Sequence, residues 1–175
     1  MGYLNPSGFF DIECTRSLPP DTPTLSQTLA PILERWGPAR RSGLLPVLIE
    51  VQEQFGWLSK ETITEIARGL NVPLAEAFEV ADFYAHLYTH PVGKTIVRAC
   101  DDVACYLAGS EKICDAVESS LEIRAGETTL DGAFTFEIVP CLGHCEHAPA
   151  AMIDSQVHEN VTAQALLQAL GQAHD

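Results

Sequence analysis

Four cysteines constrain this chain more than any other feature. They form two short runs, Cys100-Asp-Asp-Val-Ala-Cys105 and Cys141-Leu-Gly-His-Cys145, separated by 35 residues. Thiolates are soft donors, and a set of four suits either Zn or an iron-sulfur cluster. A fold that uses all four must bring two loops, remote in sequence, to one place and hold them there. A single Zn is usually gripped by tight C-x2-C knuckles. The wider C-x4-C and C-x3-C spacings fit better if each pair clasps one iron of a two-iron centre. An iron-sulfur centre is the leading reading, with structural Zn, a disulfide or uncoordinated thiols as the alternatives.

The surrounding sequence supplies stiff supports for these loops. Residues 95–99 read as a strand that delivers Cys100, and residues 133–139 alternate Phe134, Phe136 and Ile138 with Thr135 and Glu137, as a half-buried strand does, before Cys141. A helix capped by Ser110 places Ile113, Cys114, Val117 and Leu121 on one face. Residues 126–132 are turn-rich, residues 150–153 form a further short strand, and Thr162 caps a last helix carrying Leu166, Leu167 and Leu170. This half reads as a small α/β domain. Gly143 suits the tight loop between Cys141 and Cys145, where backbone N–H groups can bond sulfur. His144 and His147 are expected beside the centre rather than in it, because the cysteine set is already complete. Cys114 reads as a buried small hydrophobe, and Cys14 as a free thiol.

The first half has a different period. Leu29, Ile32, Leu33 and Trp36 share a helix face that Gly37-Pro38 ends. A second helix is expected from an N-cap at Ser42 through Leu44, Leu48, Val51 and Phe55 to Gly56, with Pro46 in its first turns. Ser59 caps a third, with Ile63, Ile66, Ala67 and Leu70. Pro73 fits the first turn of a fourth, which carries Leu74, Ala77, Phe78 and Val80 and extends towards Phe83, Tyr84 and Leu87. The chain thus divides into an extended arm over residues 1–23, a helical bundle over 24–90 and the cysteine-bearing domain over 91–175, with 90–93 as the boundary.

Composition excludes several functions. The 175 residues carry 24 acidic and 10 basic side chains, a formal charge of −14. That balance opposes binding to nucleic-acid phosphates and electrostatic anchoring on a membrane. With 46% hydrophobic residues there is material for a packed core, yet no apolar run approaches the roughly 20 residues of a membrane span. The N-terminus lacks a basic stretch before an apolar one, so a cytoplasmic protein is expected, in a compartment where grouped cysteines signal metal or redox chemistry rather than disulfides. There is neither a G-x-G-x-x-G after a strand nor a phosphate-binding P-loop, and the six histidines show no H-E-x-x-H spacing. The chain is equipped to carry an electron but not to bind NADH. A thiol-disulfide oxidoreductase is disfavoured because no C-x-x-C occurs.

Several ordered motifs carry a family resemblance. They are Leu45-Pro-Val-Leu-Ile-Glu-Val-Gln-Glu-Gln-Phe-Gly-Trp-Leu58, Ala81-Asp-Phe-Tyr84, Pro91-Val-Gly-Lys94, the C-x4-C at Cys100 and Cys105, Gly126-Glu-Thr-Thr-x-Asp-Gly132 and Cys141-Leu-Gly-x-Cys145-x-x-Ala-Pro149. Together, over roughly residues 40 to 170, they resemble the NuoE-type small [2Fe-2S] subunits of NADH:quinone oxidoreductase, respiratory complex I. The resemblance implies an α+β chain, with an N-terminal helical bundle followed by a thioredoxin-like [2Fe-2S] ferredoxin domain. It implies that Cys100, Cys105, Cys141 and Cys145 ligate one [2Fe-2S] cluster. It further implies docking on a flavoprotein subunit that holds NADH and FMN, beside other iron-sulfur subunits of a peripheral arm on the cytoplasmic side of the membrane. In that setting the chain is one component of an oxidoreductase, without a complete active site of its own. Related subunits serve NAD-dependent formate dehydrogenases and NAD(P)-linked hydrogenases, and a Zn-bearing scaffold module is the alternative of another class. Asp82 and the charged Glu146-His147 depart from the family pattern.

Charge bears on the redox chemistry. Residues 1–92 hold 11 acidic and 6 basic side chains, and residues 93–175 hold 13 and 4, so the cysteine-bearing half is the more negative. A four-thiolate two-iron cluster carries about −2 when oxidised and about −3 when reduced, so nearby carboxylates oppose its reduction. Asp101, Asp102 and Glu146 adjoin the cysteines in sequence. Replacing Asp101 and Asp102 by Asn is expected to raise the midpoint potential in an EPR-monitored redox titration; an unchanged midpoint would assign the acid to solubility and docking instead.

Overall fold

The computed structural model describes residues 25–174. The expected arm over residues 1–23, with Cys14, lies outside the described residues. Four helices come first: α1 (Leu25–Trp36), α2 (Leu44–Phe55), α3 (Lys60–Leu70) and α4 (Leu74–Phe83). Their apolar faces meet in one cluster that includes Leu29, Ile32, Leu48, Val51, Ile63, Ile66 and Leu70, all essentially inaccessible to solvent. Ser59 caps α3 as expected, its hydroxyl accepting the Thr62 N–H at 3.1 Å. Gly56 closes α2 in the left-handed region at φ +82°, the conformation that glycine adopts without steric cost.

Within these four helices the boundaries differ from expectation in three places, each for a local reason. Residues Gly37–Gly43 form a tight 3-10 segment, so Ser42 lies inside it and Gly43, which has no side chain to offer, is the cap of α2. Pro46 still falls in the first turn of α2, where no intrahelical N–H bond is lost. Pro73 is the N-cap of α4 rather than a residue of its first turn. Helix α4 stops at Phe83 and does not reach Leu87, because the backbone beyond it is captured by α2. The Gln52 side-chain amide donates to the His86 carbonyl at 2.6 Å and accepts the Tyr88 N–H at 2.6 Å, while the Leu58 N–H donates to the Tyr88 carbonyl at 2.7 Å. Leu87 nevertheless packs into the helical cluster from this irregular segment.

The remainder is a sheet with helices: β1 (Thr95–Cys100), α5 (Val103–Leu107), α6 (Ser110–Leu121), β2 (Phe134–Val139), β3 (Ala151–Ile153), β4 (Gln156–His158) and α7 (Ala163–His174). The strand order is β2-β1-β3-β4. The α5–α6 crossover makes β1 and β2 parallel, whereas β3 and β4 are each antiparallel to their neighbours. Val97, Phe136, Val117, Leu166 and Leu170 form the centre of a second apolar cluster, between the sheet and helices α6 and α7. Helix α5 and strand β4 were not foreseen. Ser110 is the first residue of α6 rather than its cap, a position taken by Gly109 at φ +93°. Thr162 does cap α7, accepting the Ala165 N–H at 3.2 Å.

A buried polar joint connects the two halves. Arg98 on β1, only 6% exposed, donates through Nε to Glu137 on β2 at 3.0 Å and through an η nitrogen to the Tyr88 hydroxyl at 2.5 Å. The Tyr88 hydroxyl in turn donates to Glu137 at 3.1 Å. A buried charge is tolerable only when paired and fully bonded, and this one also reaches the Asp154 carbonyl at 3.2 Å. Just before β1, the Gly93 N–H donates to the Thr135 hydroxyl at 2.6 Å. A Cβ at Gly93 would lie 2.4 Å from the Phe134 carbonyl carbon, so only glycine permits this approach.

The joint can be tested at both of its contacts. Gly93→Ala is expected to lower unfolding stability by about 1–3 kcal/mol, because backbone rather than a side chain must move; a denaturant midpoint equal to that of the parent chain would contradict the close approach. Burial pushes the Tyr88 hydroxyl up to about 12, partly countered by Arg98. Its stabilising effect is therefore complete below the unfolded value near 10 and is lost as pH rises towards 12. Tyr88→Phe is expected to flatten that part of the stability–pH curve.

Candidate metal centre

Parallel pairing decides where the cysteines meet. Strands β1 and β2 run the same way with Cys100 opposite Val139, so the segments leaving both strands emerge at one edge of the sheet. The next strand, β3, begins at that same edge, with Ala151 opposite Ala99. The connection carrying Cys141 and Cys145 therefore has to leave and return there. Backbone bonds fasten the meeting point: the Asp101 N–H donates to the Val139 carbonyl and the Cys100 N–H to the Ala150 carbonyl, both at 3.1 Å.

The two pairs sit in contrasting surroundings. Cys100 ends β1 at 1% exposure and Cys105, inside α5, is at 2%, and with Ala150 they form a small buried cluster lined by Leu142 and Ala148. Cys141 follows β2 and Cys145 opens a one-turn 3-10 segment, and both are exposed. Their sulfurs are 3.2 Å apart. Gly143 holds the loop between them at φ +84°, and its N–H donates to the Cys141 sulfur at 3.3 Å. That bond is the kind expected for a loop that stabilises negative charge on a thiolate.

Electrostatics link the four thiols. Burial raises the Cys105 thiol above its ordinary value, a backbone bond from Ala150 opposes this, and the nearby Cys100 and Cys141 raise it further. The hydrogen bond to Cys141, and then the charge of Cys141, push the Cys145 thiol up to about 11, with smaller contributions from burial, Asp102 and Cys105. Cys105 and Cys145 thus each resist ionising beside their neighbours, and a cation or cationic cluster core would relieve that repulsion. Among the described residues no three or more Cys, His, Asp or Glu donors gather around the point that one ion would occupy. Four soft sulfur donors arranged as two pairs, with Cys105 close enough to Cys141 to sense its charge, fit a two-iron core.

The other sequence candidates fall around this centre. The His144 ring bonds Glu159 through Nδ1 at 2.5 Å. The backbone of His147 ties the 3-10 segment, its N–H donating to the His144 carbonyl at 3.0 Å and its carbonyl accepting the Asn160 N–H at 2.7 Å. Cys114 is buried on α6, and its thiol is pushed up to about 11, first by burial and then by Asp101, Glu118 and Asp115. Asp101 and Asp102 have local roles that composition did not reveal. Asp101 accepts the Ser110 hydroxyl at 3.1 Å, and Asp102 is the N-cap of α5, accepting the Val103 N–H at 2.7 Å. An Asp directly before Val-Ala-Cys was the available signal for that cap.

The sheet order with its parallel βαβ unit and following antiparallel hairpin, the terminal helix and the paired cysteines at one edge define a thioredoxin-like iron-sulfur protein. The family model for the thioredoxin-like [2Fe-2S] ferredoxins matches residues 29–174. The chain belongs to this family, whose cofactor is one [2Fe-2S] cluster. It is 39% identical over 127 residues to the NADH-quinone oxidoreductase E subunit of Buchnera aphidicola subsp. Baizongia pistaciae, covering 73% of this chain and 74% of that protein. It is 41% identical over 129 residues to the second of the NADH-quinone oxidoreductase E subunits of Rhizobium meliloti, covering 74% of this chain and 77% of that protein. Its fold is also similar to a chain of an NAD+-reducing [NiFe]-hydrogenase in the H2-reduced state. That likeness has a TM-score of 0.67 at 23% identity, over 75% of this chain and 22% of the hydrogenase chain.

The cap at Asp102 separates structure from charge. Asp102→Ala is expected to destabilise the chain by about 1 kcal/mol, whereas Asp102→Asn keeps a side-chain acceptor and most of the stability. Equal losses in thermal melts of the two variants would contradict the capping role.

Proposed function

We propose that Cys100, Cys105, Cys141 and Cys145 ligate the [2Fe-2S] cluster, and that the chain is the small electron-transfer subunit of an NADH:quinone oxidoreductase, beside a flavoprotein subunit that binds NADH and FMN. The observation that carries this reading is the delivery of both cysteine pairs to one sheet edge by parallel β1 and β2. Identities of about two residues in five with proteins named as E subunits of that enzyme support the choice of assembly. The cluster, when bound, accepts and returns one electron at a time.

The chain's own residues set the conditions for that exchange. Cys100 and Cys105 anchor the core side, shielded from water, while Cys141 and Cys145 face outward, where a partner can approach. The Gly143 N–H partly offsets negative charge on Cys141, whereas Asp102 adds negative charge near Cys145, so the two influences oppose one another in setting the potential. With no nucleotide fingerprint in the sequence, hydride chemistry falls to the flavoprotein, and other peripheral-arm iron-sulfur subunits are further partners in this reading. The chain's place in it is the arm on the cytoplasmic side of the membrane; no described helix is long and apolar enough to cross one.

Two measurements test the proposal. Iron and acid-labile sulfide are expected at two of each per chain, and serine at any one of the four cysteines is expected to abolish or strongly alter the cluster's absorption and EPR spectra; one Zn with no sulfide would overturn the assignment. Affinity purification of the chain from its host is expected to bring down membrane-associated, quinone-reducing subunits. Recovery with a soluble molybdopterin or nickel-iron subunit would contradict the choice of assembly while leaving the cluster assignment standing.

A further inference from the structure

The four cysteines are not equivalent before the cluster is present. Cys100 and Cys105 are 1% and 2% exposed, and so are closed to reagents in solution. Cys141 and Cys145 are exposed, with their sulfurs 3.2 Å apart. The three residues between them contain Gly143 at φ +84°, with no atom near enough to meet a Cβ there. The two sulfurs need approach by only about 1 Å to reach bonding distance.

We propose that the cluster-free chain closes a reversible disulfide between Cys141 and Cys145, which locks the cluster site until it is reduced. This inference rests on the ligand assignment above. The oxidant is a low-molecular-weight disulfide of the glutathione class. One of the two thiolates attacks a sulfur of that disulfide, its S–S bond breaks, and one small thiol leaves. The second cysteine then attacks the resulting mixed disulfide, forming the Cys141–Cys145 bond and releasing the second small thiol. The two protein thiols lose two electrons and two protons in total, and the small disulfide is reduced to two thiols.

The location makes such a bond protective and easily undone. A bridge across so short a loop removes little chain entropy from the unfolded state, and an exposed bridge is open to reducing thiols, so it belongs to the labile rather than the structural kind. While closed, it keeps the two exposed sulfurs from irreversible oxidation to sulfinic acid. It also removes two of the four thiolates that the cluster needs. Cluster loading then waits on a reducing environment. Cys114, buried on α6, takes no part.

The test uses the full-length chain purified from iron-limited cells, reduced, equilibrated with oxidised glutathione, and quenched with N-ethylmaleimide for peptide mapping. The expected product is a Cys141–Cys145 bridge, with Cys100 and Cys105 alkylated only after unfolding. In Cys145→Ser the bridge is absent and glutathione accumulates on Cys141. The bridged chain is expected to take up no iron and sulfide until dithiothreitol is added, whereas the reduced chain loads directly. Glutathione adducts without a bridge in the parent chain, a bridge to Cys100 or Cys105, or unreacted thiols at Cys141 and Cys145 would each overturn the disulfide. A bridge that forms but leaves loading unimpaired would overturn the lock, whereas an unaltered cluster spectrum in Cys145→Ser would overturn the ligand assignment instead.

Discussion

The parallel pairing of β1 with β2 is the constraint on which the rest of the centre depends. In an antiparallel pair, the segments following the two strands leave from opposite ends of the sheet, and Cys105 and Cys141 could not be neighbours. The α5–α6 crossover makes the pair parallel, as connections of this length generally do. Strand β3 then closes the arrangement by starting at the same edge. Two cysteine loops separated by 35 residues thereby become adjacent without any long-range side-chain contact having to bring them together.

Around that edge, the two aspartates after Cys100 each have a local partner. Asp102 caps the short helix that holds Cys105, and Asp101 bonds the first residue of the helix that follows. Acid that appears in the sequence only as negative charge beside a redox site is thus also part of the local scaffold. Further along the same strand pair, Arg98, Glu137 and Tyr88 fasten the helical half to β1 and β2. Arg98 lies two residues before Cys100 on the same strand, so the joint and the metal centre share one stiff element.

Much of this was legible in the sequence, and the exceptions share a cause. The helical face of Ile63, Ile66 and Leu70 and the caps at Ser59 and Thr162 are local signals, and the structure bears them out. The alternation along β2 holds only for the inward Phe134 and Phe136: Ile138 is exposed, and Thr135 is buried, where its hydroxyl accepts the Gly93 N–H. The cysteine spacing pointed to paired donors on loops after strands, and the structure places the pairs at one edge. Helix α5 was missed because its 5 residues are too few for a period to develop, and β4 because Gln156-Val157-His158 lacks the apolar run that marks the equally short β3. The end of α4 was misjudged because a side chain from α2, Gln52, takes the backbone groups that a longer helix would have used. The buried joint at Arg98 was invisible for the same reason: an arginine within a strand discloses its partners only once Glu137 and Tyr88 are beside it.

Whether this edge holds a two-iron cluster on its four cysteines is decided by EPR of the purified full-length chain before and after reduction by dithionite. Two ferric ions coupled through bridging sulfides give no signal, and adding one electron leaves one unpaired spin. The oxidised protein is expected to be silent, and the reduced signal to integrate to one spin per chain. A chain that stays silent after reduction, or whose signal survives simultaneous replacement of Cys100, Cys105, Cys141 and Cys145 by serine, would be incompatible with a cluster at this edge.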